Sequence, residues 1–174
     1  MANRLAHTEL FQTASKDSPS EMGTLVDVLQ WRASHQSDRT SCQFLPAGID
    51  DIAQATRANR WTYADLDRQA HAIADRLRAC LSQRETSQQR VLLAYSAGLE
   101  FIAALFGCWY AGAIAVPVQP ARRHQGGSRW RHILDDAQAA GVLTCQDLLP
   151  EVEQLTASQT SREFFYLATD GLAK

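Results

Sequence analysis

The sequence predicts an α/β protein with a mostly parallel sheet and helical crossovers, preceded by a helix and a short antiparallel pair of strands. From Val91 onward, short apolar runs alternate with helical stretches, the pattern of strands joined by crossover helices. Before Val91 the chain shows two capped helices and two short alternating segments. We expect residues 23–174 to form one α/β domain, and residues 1–22, which are polar and lack apolar periodicity, to form a mobile leader.

Two helices before Val91 carry the same start signal. Thr24 and Thr62 are good N-cap residues, and each is followed three residues later by an aspartate that can return a hydrogen bond to the cap. The first helix should run to about Ser34. The second is the better amphipathic helix, with one apolar face made by Leu66, Ala70, Ile73, Ala74, Leu77 and Leu81.

Two short strands should lie between these helices. Ser41–Leu45 alternates between polar and apolar residues, and Arg60–Thr62 directly precedes the second helix. We expect the two segments to pair in antiparallel fashion across an exposed loop, Ala47–Asn59.

The second half of the chain predicts seven alternating elements. In order these are strand Val91–Tyr95, a helix from about Leu99 to Tyr110, strand Ala113–Val118, a helix from Ser128 to about Ala139, strand Val142–Cys145, a helix near Leu148–Leu155 and strand Phe164–Ala168. The alternation predicts a parallel sheet with right-handed crossovers. The helix Leu99–Tyr110 is apolar on nearly all sides, so it should pack against the sheet and its neighbours, with Gly107 permitting close approach.

A membrane span is the alternative for part of this region. Residues 101–118 form a run of 18 residues without a formal charge, close to the roughly 20 that cross a bilayer. Gly107, Gly112 and Pro117 interrupt the run, and Ala111-Gly112 predicts a turn. A buried helix followed by a buried strand is therefore the preferred interpretation.

Composition excludes several classes of function. Seventeen basic and nineteen acidic side chains give a net charge of −2, too balanced for a dedicated nucleic-acid binder or a polybasic membrane anchor. Cys42, Cys80, Cys108 and Cys145 are irregularly spaced, with no CxxC pair and no histidine at metal-ligand spacing. With no signal-peptide pattern at the N-terminus, a reduced cytoplasmic protein is expected. Cys108, inside an apolar run, should be a small core residue.

Two glycine-containing segments resemble phosphate-binding loops only in part. Gly107 and Gly112 have the spacing that opens a phosphate loop, but Ala113 and Ile114 stand where lysine and serine or threonine are required. These glycines should serve packing and a turn. The segment Gln125–Ser128 could bind an anion at a helix start, or could be a flexible loop with Ser128 as cap.

Positive charge is concentrated at one place in the chain. The residues are Arg122, Arg123, His124, Arg129, Arg131 and His132. They form either a solvated basic face or a docking site for an acidic partner. Trp130 shares an apolar helix face with Ile133, Leu134 and Ala137, so it should be a core residue and not a platform for nucleic-acid bases.

No catalytic, cofactor-binding or metal-binding residue can be named from the residues alone. The five histidines form no HxxxH or HExxH pattern, and no serine lies in a GxSxG context. The sequence therefore predicts a scaffold without an active site of its own.

Two motifs nevertheless carry a family resemblance. Trp61-Thr-Tyr-Ala-Asp-Leu66 is similar to the first motif of the adenylate-forming superfamily, which comprises acyl-CoA synthetases, acyl-AMP ligases and peptide-synthetase adenylation domains. Trp109-Tyr-Ala-Gly-Ala-Ile-Ala-Val-Pro-Val-Gln-Pro120 is similar to its second, a helix end that runs into a proline-terminated strand. Within the superfamily, residues 24–170 resemble most closely the opening part of fatty acyl-AMP ligases, including those that load polyketide synthases.

The resemblance implies an ATP- and magnesium-dependent reaction in which a fatty acid becomes an acyl-adenylate and then passes to an acyl carrier protein, in lipid or polyketide biosynthesis. It also implies that the phosphate loop, the nucleotide contacts and the catalytic lysine lie in the second N-terminal subdomain and the small C-terminal domain. The 174 residues alone should then be inactive and should not bind ATP or magnesium tightly. A homodimer through an uncovered sheet edge is possible. The alternative is a stand-alone, non-catalytic module that docks a carrier protein through the basic segment.

Overall fold

The structure, a computed structural model, describes residues 22–45, 59–82, 89–120, 127–156 and 164–172. In chain order the elements are α1 (Leu25–His35), β1 (Thr40–Gln43), β2 (Arg60–Thr62), α2 (Tyr63–Leu81), β3 (Arg90–Ala94), α3 (Leu99–Tyr110), β4 (Ile114–Val118), α4 (Gly127–Ala137), β5 (Gly141–Thr144), α5 (Leu149–Thr156) and β6 (Phe165–Ala168). The predicted leader, except for Met22, and the predicted loop, except for Asn59, lie outside the described residues.

The described strands form two sheets, and the predicted fold class is confirmed. Strands β4, β3, β5 and β6 form a four-stranded sheet in that order, and every neighbouring pair is parallel. Strands β1 and β2 pair separately in antiparallel fashion, as expected, with an irregularity in register between Thr40 and Cys42.

Strand β3 lies at the centre of the molecule. Val91, Leu93 and Tyr95 belong to a core cluster shared with α1, α2 and α3. Leu92 and Ala94 belong to a second cluster shared with α4 and α5. Because alternate residues of a strand point to opposite faces, both faces of β3 are covered by helices. This explains why the strand is an unbroken apolar run and not an alternating one.

Capping boxes start both amino-terminal helices. In α2 the Asp65 backbone N–H donates to the Thr62 hydroxyl at 3.1 Å, and the Thr62 backbone N–H donates to the Asp65 carboxylate at 3.0 Å. Thr24 and Asp27 make the same pair of bonds in α1. Partial burial alone would raise the pKa of Asp65, but hydrogen bonds from Thr62 and Arg68 outweigh it and lower that pKa below its ordinary value.

The contact between α2 and α3 depends on Gly107. A Cβ atom built at this position would lie 2.6 Å from Ile73 Cγ2 and 3.3 Å from the Ala70 carbonyl oxygen. No side chain fits there without movement of the neighbouring helix. The predicted close approach of the two helices is therefore confirmed.

Hydrogen bonds close the same interface at the end of α3. The Tyr110 hydroxyl donates to the Asp67 carboxylate at 2.6 Å, and Arg78 donates to the Tyr110 carbonyl oxygen at 2.6 Å. Burial, followed by the bond to Asp67, raises the pKa of Tyr110 above its ordinary value. The chain then turns through Gly112, whose φ of 73° is in the left-handed region that glycine adopts readily. The predicted turn between helix and strand is confirmed.

Several predicted boundaries differ from those observed. Helix α4 begins at Gly127, so Ser128 lies in its first turn and is not its cap. The same helix ends at Ala137 and not near Ala139, because Gln138 has a φ of 47°, which helical backbone does not adopt. Leu81, predicted on the apolar face of α2, is only partly buried because it is the last helical residue.

Two core predictions are confirmed. Trp130 and Cys108 are buried, with 2% and 0% of their surface exposed. Trp130 also donates its indole N–H to the Gln119 carbonyl oxygen at 3.2 Å, which ties α4 to the end of β4. Among the described helices, none is long and apolar enough to cross a membrane.

Gly107→Ala should destabilise the protein, although alanine is normally the better helix former. The added methyl group would collide with Ile73, and overpacking of this kind costs about 1–3 kcal/mol. Urea unfolding followed by circular dichroism measures the change. Gly23→Ala, where the added Cβ meets nothing within 4 Å, is the control. A Gly107→Ala variant as stable as the parent protein would contradict the close contact.

The capping box of α2 predicts a pH-dependent stability. Thr62→Ala should cost about 1 kcal/mol at neutral pH. Because its folded pKa is lowered, the Asp65 carboxylate stabilises the fold above its unfolded value near 3.8, and this contribution is lost as the pH falls through the folded pKa. The cost of Asp65→Asn in urea unfolding should therefore shrink in acid. Asp75→Asn, at a side chain that is 74% exposed, should have little effect at any pH.

Candidate functional site

The topology of the sheet identifies one edge as the candidate site. The chain passes from β3 to β4 on one side, and then to β5 and β6 on the other side of β3. The direction of winding therefore reverses between β3 and β5. In doubly wound parallel sheets, ligands bind in the crevice beyond the carboxyl ends of the strands at such a reversal. The residues that follow these strand ends are Tyr95, Cys145 and Thr169.

A chain of buried hydrogen bonds joins these strand ends. The Tyr95 hydroxyl lies 2.8 Å from the Thr169 hydroxyl, and Thr169 donates to the Thr144 carbonyl oxygen at 3.4 Å. The Thr144 hydroxyl in turn donates to the Ala94 carbonyl oxygen at 2.8 Å. Either hydroxyl of the Tyr95–Thr169 pair can be the donor. The network thus links β3, β5 and the end of β6.

Tyr95 is a neutral phenol in this network. Burial raises its pKa far above the ordinary value, and the bond to Thr169 offsets only part of that effect. A phenol of this kind can position neighbouring groups, but it is not a proton acceptor near neutral pH.

A second contact orders the loops at the same edge. The Asp170 carboxylate accepts a hydrogen bond from the backbone N–H of Gln146 at 2.8 Å, which holds the loop after β5 against the end of β6. Within the described ranges, no group of three or more histidine, cysteine, aspartate or glutamate residues could hold a metal ion. The described part of this edge is therefore suited to positioning strands and loops.

Of the two segments that resemble phosphate loops, the structure describes one fully and the other only in part. Gly107 and Gly112 serve the helix contact and the turn, as predicted. Of Gln125–Ser128, the first two residues lie outside the described chain and nothing is described of the side chains of the other two. Anion binding there stays a prediction.

The basic segment is only partly described. Arg122, Arg123 and His124 lie outside the described residues, whereas Arg129, Arg131 and His132 are exposed on α4. A shallow depression of about 760 Å³ is lined by Arg129, His132, Ile133, Asp135 and Asp136. Acidic and basic groups share this surface, so the described part of α4 does not present a uniformly positive face.

Sequence reasoning missed the hydrogen-bonded network at the sheet edge. Its signal was present: polar residues directly follow or end three apolar strands, at Tyr95, Thr144 and Thr169. Parallel strands bring their carboxyl ends to one edge, so these residues had to lie along that edge. The strand order was needed to see that the winding reverses there.

Comparison with known proteins gives a consistent result. A family model described as "AMP-binding enzyme" matches residues 29–171. The medium-chain-fatty-acid–[acyl-carrier-protein] ligase JamA of Moorena producens is 40% identical over 150 residues, which is 84% of this chain and 24% of that protein. The human Disco-interacting protein 2 homolog B is 30% identical over 83% of this chain and 9% of its own length.

Solved structures agree with this relationship. The fatty acyl-adenylate ligase of Legionella pneumophila, crystallised with acyl adenylate and pyrophosphate, matches with a TM-score of 0.67 and 27% identity, covering 88% of this chain and 24% of that one. The chain thus spans about a quarter, or less, of the length of the proteins it matches. The parallel sheet, the two motifs and these matches together establish that the chain belongs to the AMP-binding enzyme family of adenylate-forming ligases.

Proposed function

We propose that this chain is the amino-terminal α/β subdomain of an ATP-dependent fatty acyl-AMP ligase, which activates a fatty acid as acyl-adenylate for transfer to an acyl carrier protein in lipid or polyketide biosynthesis. The observation that carries the proposal is the 40% identity with a fatty-acid–carrier-protein ligase over 84% of the chain. The resemblance to a ligase crystallised with acyl adenylate supports the same reaction.

The chain supplies the frame of this enzyme. ATP, together with magnesium, provides the α-phosphate that the fatty-acid carboxylate attacks, and such a reaction depends on positioned donors and metal charge. The described residues do not fit these groups: they gather no metal-ligand cluster, and the buried hydroxyls of Tyr95, Thr144 and Thr169 are already engaged with one another and the backbone. We therefore assign no catalytic step to this part of the chain, and expect the nucleotide site to come from other parts of the ligase.

The proposal extends to partners and location. The partners are the other parts of the ligase, a fatty acid and an acyl carrier protein. A cytoplasmic location is supported by the four cysteines, all of which are free. The alternative, a stand-alone, non-catalytic module that docks a carrier protein through Arg122–His132, has less support, because Asp135 and Asp136 are exposed on α4 together with Arg129 and His132.

The 174-residue chain alone should show no fatty-acid-dependent exchange of pyrophosphate with ATP. A chimera, in which this chain replaces the matched 24% of the Moorena producens ligase, should recover exchange. Radiolabelled pyrophosphate incorporated into ATP measures both. The unaltered Moorena ligase is the positive control. Exchange by the chain alone, or a folded chimera that activates no fatty acid, would contradict the proposed function.

Tyr95→Phe separates a positioning role from a catalytic one. Loss of the hydroxyl removes the buried hydrogen bond between Tyr95 and Thr169, at a cost of about 1 kcal/mol in the free energy of unfolding. In the chimera, the exchange rate at saturating fatty acid should stay close to that of the parent chimera. A large fall in exchange rate with unchanged stability would place the Tyr95 hydroxyl in the chemistry.

A further inference from the structure

Helix α3 has two faces, and both are apolar. Its inward face is buried in the core and consists of Leu99, Ala103, Ala104, Gly107 and Cys108. Its outward face consists of Phe101, Ile102, Leu105, Phe106 and Trp109. Each of these side chains is partly buried and keeps part of its surface in solvent, and all except Trp109 also contact the core cluster. The helical period places this second set opposite the first. A helix that is apolar all round is typical of the interior of a protein larger than the part seen here.

The neighbouring helix shows that the apolar outward face is specific to α3. On α2, the outward positions are polar or charged and exposed, including Arg68, His71, Asp75, Arg76 and Arg78. Both helices pack on the same side of the sheet, in the same core cluster. In this helical layer, the solvent-facing side chains are therefore polar on α2 and apolar on α3.

Two aromatic rings give the outward face of α3 a defined shape. Phe106 and Trp109 meet edge to face with ring centroids 5.1 Å apart. Aromatic side chains held in this way are the anchors found at the centres of protein interfaces.

We propose that the outward face of α3 is a docking surface covered by the part of the adenylate-forming ligase that lies outside this chain. The inference rests on the proposed function and specifies which surface joins the rest of the enzyme. The chain matches only 24% of the Moorena ligase and 24% of the Legionella ligase, so most of each relative is available to cover such a surface.

The position of the last described residue supports the same occupant. Leu172 packs against the core cluster that contains α3. Polypeptide that followed Leu172 in a longer ligase would therefore start on the α3 side of the sheet. A contact within one polypeptide also needs less area than free association does, because the two parts are held at high effective concentration.

Two other occupants fit the surface less well. Helices that bind a lipid surface carry basic residues beside their apolar face, whereas α3 contains neither lysine nor arginine. A second copy would have to associate freely, and five side chains fall short of the roughly 20–30 residues per partner of a stable interface.

Hydroxyl-radical footprinting with mass spectrometry tests the proposal on the chain alone and on the monomeric fraction of the Moorena chimera. Labelling of the outward residues of α3 should be strong in the chain and several-fold weaker in the chimera. Labelling of the outward residues of α2 around Arg76 should change much less. If the chimera does not fold, the unmatched part of the Moorena ligase is added to the chain as a separate polypeptide and the same peptides are compared.

A pair of variants adds a second readout. Trp109→Gln should leave the melting temperature of the chain nearly unchanged or slightly raised, and should lower that of the chimera by several degrees. Arg76→Gln, on the outward side of α2, should affect neither.

Three results would overturn the inference. Equal labelling of α3 in the chain and in the chimera would show that the rest of the ligase does not cover this surface. Protection in the chain alone that disappears on dilution would assign the surface to a second copy, and protection only with phosphatidylglycerol vesicles would assign it to a lipid surface. Footprinting measures burial of α3 and not catalysis. A chimera in which α3 is protected but which does not catalyse exchange therefore contradicts only the proposed function. An active chimera with α3 unprotected contradicts only this inference.

Discussion

The structure depends on the burial of β3 on both of its faces. Val91, Leu92, Leu93 and Ala94 have no exposed surface, and they alternate between the two core clusters. A strand covered on both faces needs a layer of helices on each side and parallel neighbours reached by crossovers. The order of the sheet, the reversal of winding beside β3 and the positions of α3 and α4 all follow from this one strand. The same reversal brings polar residues from three strand ends to one edge.

That arrangement engages the polar side chains of the described sheet edge in structural hydrogen bonds. Its buried hydroxyls are engaged with one another and with backbone carbonyls, and Tyr95 is kept neutral by burial. What these contacts hold in place is the geometry of the sheet edge and of the loops beyond it. In the proposed function, a rigid edge of this kind supports nucleotide and acyl sites built from other segments of the ligase.

Most of the fold could be predicted from the sequence because its signals are local. The cap pairs at Thr24 and Thr62 fixed two helix starts, and the helix predicted from about Leu99 to Tyr110 is observed as Leu99–Tyr110. The end of α4 could not be predicted, since it depends on the left-handed backbone of Gln138, a conformation that glutamine seldom adopts. The hydrogen-bonded edge also escaped prediction, because it requires the strand order, a long-range property that no local pattern encodes.

The proposal to be tested most directly is that the described residues between 22 and 172 form the frame of the ligase and leave its chemistry to other segments. The most direct measurement is a crystal structure of the active chimera with acyl adenylate bound, in which the distance from each adenylate phosphate oxygen to the nearest polar side-chain atom of these residues is determined. The account predicts that no such atom lies within hydrogen-bond distance. A direct bond to the phosphate from Tyr95, Thr169 or Asp170 would contradict it and make the sheet edge part of the catalytic site.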